Sequence, residues 1–415
     1  MLTNRSSSKT ERDARIDVFR GLALVMIFIN HMPATPWSVL TMRAWGFSDS
    51  AEVFVLLAGL AAAFAYGRFF DRGEIGLGIA AIGGRLFTLY RTHLLLFLVV
   101  GALCVIGAER FNEPSHLEAL GFDTFLQNPT GFLGHVVSLG FLPGYLDILP
   151  LYIVLLALLP VLFLLGRVHW ALPLALSIGL WAFVQFYNLN LPNSRTAREW
   201  TFNPFAWQLI FVIGWALGRR VQSGMGFGVL NRSLVAHSIT VFAALFTIVS
   251  FVVAAPWREI PGYENVVIVS PSRIGTISKT DLDIIRLIDV LTKAWLVSVL
   301  VRPNATWLSL TPFRLTGLMG RHSLEVFSLA TVLSVAGGIL ITANGFHPWW
   351  IASAVIGGIG LMVGVAALVD WREQAMLQSS RKRVTVVPPQ PQREIAIRKT
   401  SEGSRAILLA LDPKA

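Results

Sequence analysis

The feature that most constrains this chain is its series of long apolar segments. Each runs for about 17–25 residues, and a helix that rises ~1.5 Å per residue needs ~20 residues to cross ~30 Å of hydrocarbon. The composition agrees, because 54% of the residues are hydrophobic and only 14% are charged. A soluble domain carries roughly 25% charged residues. The sequence therefore predicts an all-α, polytopic integral membrane protein with about ten transmembrane helices.

The basic residues are distributed unevenly between the two sides of these predicted helices. We place the helices at 17–34, 51–70, 88–108, 147–166, 170–188, 204–221, 235–255, 283–301, 322–344 and 348–369. With the N-terminus in the cytoplasm, 25 of the 34 lysines and arginines lie inside and seven lie in outer loops. The positive-inside rule then predicts that both termini are cytoplasmic. It also accounts for the net charge of +10 without nucleic-acid binding.

Three compositional zones divide the chain. Residues 1–16 are polar and basic, with no cleavage site after the first apolar segment, so we expect a cytoplasmic segment and a retained anchor. Residues 17–370 form the predicted transmembrane domain. From 371 to 415 the chain is basic and contains the run 388–391 (PPQP), which predicts a disordered cytoplasmic tail that touches anionic lipid.

Charged residues inside apolar segments are expensive and are candidates for function. Arg20 and His31 stand in the first segment, eleven residues apart. On a helix this spacing places them on one face, ~16 Å apart along the axis. Arginine suits phosphate recognition, and a neutral histidine suits removal of a hydroxyl proton. The alternative is that Arg20 only sets topology and that His31 only packs.

Another charged set lies in the eighth predicted helix. Arg286, Asp289 and Lys293 share one helix face at spacings of three and seven residues. Such spacing predicts an internal ion-pair ladder. The single cysteine, Cys104, excludes an intrachain disulfide and a cysteine-based metal site. We expect no bound metal.

Five segments carry a family resemblance in chain order. They are 15–21 (RIDVFRG) with 30–31 (NH), 50–59 (SAEVFVLLAG), 145–152 (YLDILPLY), 203–208 (NPFAWQ) and 320–327 (GRHSLEVF). The first two resemble motifs of the acyltransferase-3 superfamily, including its arginine–ten residues–histidine motif. Together the five are similar to the OpgC family, which is named for succinylation of osmoregulated periplasmic glucans in Gram-negative bacteria. The resemblance covers about residues 12–370.

This resemblance implies an acyltransferase of the bacterial inner membrane. The donor would be a cytoplasmic acyl-CoA, with succinyl-CoA expected, and the acceptor would be a hydroxyl of a periplasmic glucan or related glycan. No permanently bound cofactor is implied. The sequence departs from the pattern at Ala58, where the superfamily usually has serine, and at Glu325, where a less acidic residue is expected. The two departures bear on which substrates are used and not on the broad class of enzyme.

The resemblance and the neighbouring polar residues give a set of candidate site residues. We assign catalysis to His31, Glu52 and Asp147, donor binding to Arg20, Arg85 and Arg91, and substrate binding to Asp17, Asn30, Trp207 and Gln208. His31 is the expected general base. Glu52 and Asp147 have alternative roles at helix N-termini. Arg85 and Arg91 form a basic cluster with His93 that suits a diphosphate, and the alternative is ordinary positive-inside placement.

Two other functions remain open at this point. A transporter or flippase without acyl transfer could use the same intramembrane charges, although transporters often contain two similar halves and we find no internal repeat. An enzyme with an amine acceptor is the second alternative, since a lysosomal-type N-acetyltransferase group starts with a similar helix.

The predicted orientation is directly testable. Reporter fusions placed after Lys9 and after Ser380 should both report a cytoplasmic location, because the charge asymmetry puts both termini inside. A fusion in the predicted outer loop after Glu113 serves as the control for periplasmic exposure. A periplasmic signal at either terminus would contradict the even number of spans.

Overall fold

The architecture of the chain is helical. A computed structural model describes residues 13–195, 198–224, 234–254 and 277–385. Within these ranges the strands are one antiparallel pair, Pro192–Asn193 with Arg198–Glu199. The all-α prediction is confirmed. Most of the predicted N-terminal segment, part of the outer loop before the eighth predicted helix and the tail beyond 385 lie outside the described residues.

The described residues form a series of α-helices in chain order. They are α1 Ala14–Asn30, α2 Ser50–Asp71, α3 Ile75–Arg110, α4 Ser115–Leu120, α5 Phe122–Gln127, α6 Pro129–Val137, α7 Ile148–Ala157, α8 Leu159–Val168, α9 Leu172–Tyr187, α10 Pro204–Gln222, α11 Leu234–Ala254, α12 Ile284–Leu300, α13 Thr311–Arg321, α14 Ser323–Ala343 and α15 Pro348–Thr385. Each predicted segment is helical over most of its length.

Six helical stretches of the described chain are long and apolar enough to cross a membrane. They are 50–71, 75–110, 148–168, 234–254, 323–343 and 348–379. Leu172–Tyr187 is a shorter apolar helix. The chain is therefore a membrane protein, and the total of ten spans stays a prediction.

Two boundaries differ from the prediction for identifiable reasons. The helix predicted at 147–166 is divided at Leu158 into α7 and α8. Pro160, which lacks a backbone N–H, lies in the first turn of α8. The prediction of a disordered tail is wrong for 371–385, where α15 continues to Thr385, and it stays a prediction beyond 385. Residues 371–385 contain no glycine or proline, so nothing in the sequence ends a helix that is already formed.

The chain between α3 and α7 folds back along α3. The sequence predicts a long outer loop here, but the structure has the short helices α4, α5 and α6. The Tyr90 hydroxyl donates to the Val137 carbonyl at 2.8 Å. Since Tyr90 lies twenty residues before the end of α3, the returning segment reaches ~30 Å back along that helix. Phe97 packs against Phe122 and Phe125, with both ring centroids 5.1 Å away.

Glycines allow two pairs of helices to cross with their backbones in contact. A Cβ on Gly214 of α10 would collide with the Leu56 carbonyl of α2, and a Cβ on Gly59 would collide with the Phe211 carbonyl. A Cβ on Gly21 of α1 would likewise collide with the Thr316 carbonyl of α13. Small residues permit this approach in membrane helices. The crossings fix α1 and α2, the helices that carry the candidate site.

A buried acceptor holds the segment between α1 and α2. Asp289 is fully buried, and its carboxylate accepts hydrogen bonds from the Ser48 backbone N–H at 2.8 Å and from Ser250 and Lys293 at 2.6 Å each. The Asp289–Lys293 part of the predicted ladder is therefore present. Arg286 does not continue that ladder but turns towards α2, where it pairs with Glu52.

The glycine crossings predict a large difference between two alanine substitutions. Gly214→Ala should lower the midpoint of thermal unfolding in detergent by several degrees, because overpacking costs about 1–3 kcal/mol. Gly179→Ala is the matched control, since a Cβ on this helical glycine meets nothing within 4 Å. It should leave the midpoint unchanged or raise it. Equal midpoints for the two variants would show that the α2–α10 crossing is not tight.

Candidate functional site

His31 lies at the end of α1 and is held by an aromatic neighbour. Its backbone N–H donates to the Ile27 carbonyl at 3.1 Å, as the residue that caps the helix. The imidazole stacks on the Tyr145 ring, with centroids 4.1 Å apart and planes at 24°. The Tyr145 hydroxyl donates to the His31 carbonyl at 3.4 Å. The ring of His31 therefore has a defined orientation at the point where α7 begins.

Tyr145 adopts an unusual backbone conformation. Its φ of 68° lies in the left-handed region, which is uncommon for a residue with a side chain and strained for a bulky one. Such strain persists only where the surroundings determine it. Sequence analysis assigns Tyr145 no role of its own, although it begins the segment 145–152. The structure makes it the direct neighbour of the candidate base.

The surroundings of His31 favour its neutral form. The residue follows the last turn of α1 and is only partly exposed, and the Lys279 ammonium belongs to its electrostatic surroundings. Desolvation penalises the charged form of histidine, and a nearby cation does the same. A neutral imidazole has one nitrogen free of a proton and can accept one. The arrangement therefore suits proton removal at neutral pH.

An ion cluster lies at the start of α2. Asp49 caps the helix by accepting from the Ala51 N–H at 2.8 Å, and Glu52 accepts from the Asp49 N–H at 3.0 Å. This reciprocal pair is a capping box. Lys279 binds Asp49 at 2.6 Å, and Arg286 Nε donates to Glu52 at 2.7 Å. Glu52 thus has the helix-terminal role that the sequence left open, and it also pairs with Arg286.

The charge of Asp49 is maintained by its partners. Burial raises the pKa of this carboxyl, but the Lys279 ammonium and hydrogen bonds from neighbouring groups outweigh burial and hold the pKa below its ordinary range. Asp49 also interacts electrostatically with His31. The cluster and the imidazole therefore belong to one electrostatic site.

Trp207 positions the segment that carries Lys279. Its indole N–H donates to the carbonyls of Lys279 at 3.0 Å and Thr280 at 3.1 Å, and the ring is fully buried. Asn203, at the cap of α10, donates to Asp281 at 2.9 Å. The substrate-binding role predicted for Trp207 stays a prediction. In the structure the indole N–H binds the backbone carbonyls of Lys279 and Thr280.

The other residues predicted on this side are held by protein groups. The Gln208 amide donates to the Ser177 carbonyl at 2.9 Å and joins α10 to α9. Asn30 accepts from the Thr41 hydroxyl at 2.8 Å. Asp147 takes the cap position of α7 without a side-chain capping bond, and burial raises the pKa of its carboxyl. Asp147 follows two residues after Tyr145, the residue that stacks on His31.

Arg20 and Arg85 line one cavity. Arg20 donates to the Ser323 hydroxyl at 2.6 Å, and its guanidinium lies 5.9 Å from the Phe54 ring centroid. The lining residues come from five helices and are Arg20, Phe54, Arg85, Leu89, Ile148, Leu149, Tyr152, Ser323, Leu324 and Phe327. The cavity is small, about 20 Å³, and its two cations in a largely apolar wall are suited to an anionic group.

Two predicted residues lie away from this cavity. Arg91 is exposed, with its guanidinium 6.0 Å from the Phe87 ring, because six residues along a helix turn it away from the face of Arg85. Asp17 lines a different cavity of about 430 Å³, which also includes Arg314, Arg321 and Asp370. The structure therefore brings Arg20 and Arg85 together without Arg91 or Asp17.

Lys279 is the main site residue that the sequence did not single out. In the sequence it is one of seven basic residues in outer loops, and no motif surrounds it. Its position depends on Trp207 and Asn203, which are more than seventy residues away. Within the described ranges, no three histidine, cysteine or acidic side chains form a group that could hold a metal ion.

The comparisons with known proteins yield one match. A family model described as OpgC protein matches residues 12–374. No curated protein and no solved structure matches the chain.

The Trp207 contacts predict a local effect of substitution. Trp207→Phe keeps an aromatic ring but removes the N–H that holds the Lys279 and Thr280 carbonyls, so amide hydrogen exchange across 277–283 should accelerate by about tenfold. Trp170→Phe is the control, because Trp170 is 76% exposed. Unchanged exchange across 277–283 in Trp207→Phe would mean that other contacts fix Lys279.

Proposed function

The chain belongs to the OpgC protein family, since the family model matches most of its length, and we propose on this basis that it is a membrane O-acyltransferase. In this proposal it moves an acyl group, succinyl being the expected one, from cytoplasmic acyl-CoA to hydroxyls of a periplasmic glucan or related glycan. The enzyme would lie in the bacterial inner membrane. The observation that carries the proposal is the placement of a cationic cavity and a neutral histidine at two points of one helix.

The Arg20–Arg85 cavity supports the choice of donor. Coenzyme A thioesters combine phosphates with a long, weakly polar arm. Arginine binds phosphate oxygens through paired N–H groups, and the apolar wall would accept the arm. Arg20 and His31 are ~16 Å apart along α1, so an extended donor can reach from one to the other. Arg91 has no part in this version of the donor site.

His31 supports the choice of reaction. A glycan hydroxyl becomes an adequate nucleophile when its proton is removed as the new carbon–oxygen bond forms. In the proposed step, the free imidazole nitrogen takes that proton, the hydroxyl oxygen attacks the thioester carbonyl and the carbon–sulfur bond breaks. The departing thiolate then receives the proton from the imidazolium. Tyr145 orients the imidazole ring. The charges of Asp49 and Lys279 determine the electrostatic potential at that ring.

The other predicted residues take supporting roles in this proposal. Glu52 maintains the start of α2 and the position of Arg286. Asp147, with its raised pKa, would hydrogen-bond the acceptor sugar beside Tyr145. A transporter or flippase without acyl transfer is the alternative function. It predicts altered export of the glycan with no change in its acyl content.

His31→Ala tests the reaction. The variant should still insert in the membrane and bind donor, but glycan acylation should fall by about 10²–10⁴-fold, because the base acts in the transition state. The measurement is mass spectrometry of periplasmic glycans from a deletion strain that carries the variant at matched membrane levels.

His347→Ala is the matched control for the reaction test, because His347 is an exposed histidine that precedes α15. It should acylate normally. Near-normal acylation by His31→Ala would remove the general-base role. Absence of any acyl group on the glycans of the wild-type strain would favour the transporter instead.

Arg20→Ala tests the donor site. Loss of a charge-assisted hydrogen bond to phosphate should weaken binding of a non-reactive acyl-CoA analogue by about 10–100-fold in calorimetry on the purified protein. Arg43→Ala is the control, since this exposed arginine precedes the Asp49 end of α2, on the side of His31. Equal affinities for wild type and Arg20→Ala would exclude Arg20 from the donor site.

A further inference from the structure

His93 is a fully buried polar side chain in the middle of α3. Among the described residues, neither of its ring nitrogens makes a hydrogen bond of normal geometry, and the ring has a weak polar contact with the Leu146 backbone. Buried polar groups are normally hydrogen-bonded, so an exception needs an explanation. His93 takes no part in the proton transfer described above.

The position of His93 relates it to the cavity of Arg20 and Arg85. Arg85 and Leu89 line that cavity, and His93 follows Leu89 after one further turn on the same face of α3. On α7, which packs against α3, Tyr152 and Leu149 line the cavity. Two rows of residues therefore lead from the cavity along neighbouring helices.

Both rows end at the same place. The row on α3 reaches His93, ~12 Å beyond Arg85 along the helix axis. On the other side, the chain that leads into α7 passes Leu146, whose backbone contacts His93. The next residue, Tyr145, stacks on His31. A chain that extends from the cavity towards His31 along these helices would pass His93.

We propose that His93 is a donor-binding residue that hydrogen-bonds the arm of the acyl thioester. The inference rests on the proposed function. A neutral imidazole carries one N–H donor and one acceptor nitrogen, so it can donate to an amide or thioester carbonyl of the arm. In apolar surroundings such a bond is stronger than in water. The ligand class is a thioester with an amide-bearing arm, and His93 recognises the arm instead of the phosphates.

Two probes separate this role from a packing role. A non-reactive acyl-CoA analogue contains the arm, whereas adenosine 3′,5′-bisphosphate contains phosphates and base without it. Binding of each would be measured by calorimetry on the purified full-length protein, with wild type, His93→Leu and His93→Gln. The leucine has similar bulk and no hydrogen bond, and the glutamine keeps an N–H donor.

The expected result is selective. His93→Leu should bind the analogue about tenfold more weakly, which is the loss of one hydrogen bond, and should bind the bisphosphate normally. His93→Gln should recover most of the affinity for the analogue. In turnover assays, KM for the donor should rise more than kcat falls. His93→Met provides a second apolar variant if the leucine protein does not accumulate.

Three results would overturn the inference. The first is equal affinity of wild type and the apolar variant for the analogue. The second is an equal loss for both probes, because that pattern indicates a packing defect. The third is a wild-type protein that binds neither probe, which would refute the proposed donor itself and is distinct from the first two.

Discussion

The ion pairs at the start of α2 connect the parts of the molecule on which the candidate site depends. Asp49 and Glu52 cap α2, Lys279 comes from the segment held by α10, and Arg286 comes from α12. Glu52 is fully buried and Arg286 is nearly so, so each carboxylate needs its cation. Removing one partner of a buried pair leaves an uncompensated charge, which is much more harmful than the pair is stabilising. The ion pairs therefore join α2, the Lys279 segment and α12 to one another.

This arrangement separates the polar chemistry into two regions of one helix bundle. One region contains His31, Tyr145, Asp147 and the ion cluster. The other contains Arg20 and Arg85 in an apolar wall. Within a membrane, such charges persist only when they are paired or face a cavity. The division is compatible with the proposed acyl transfer, in which the donor and the acceptor would approach from different sides of the membrane.

The sequence predicts the features that depend only on residues close together in the chain. Helical segments follow from apolar length, and the common face of Arg20 and His31 follows from helical periodicity. It could not predict Lys279, whose position depends on Trp207 and Asn203 far along the chain. Nor could it predict the return of α4–α6 along α3, because short apolar helices between charged residues are read as a loop. Arg91 was grouped with Arg85 by sequence proximity, but helical rotation separates them.

The burial of His93 cannot be predicted from its neighbours in the sequence. In the sequence it follows two arginines in a basic stretch at the predicted start of a span, and charge alone would place it with them. In the structure, α3 begins at Ile75, well before the predicted residue 88, so position 93 lies inside the bundle. The same residue type therefore changes from a surface cation to a buried hydrogen-bonding group when one boundary moves. Since α1 and α3 each carry an arginine followed by a histidine further along the helix, the donor path would have a cation and an imidazole on both of these helices.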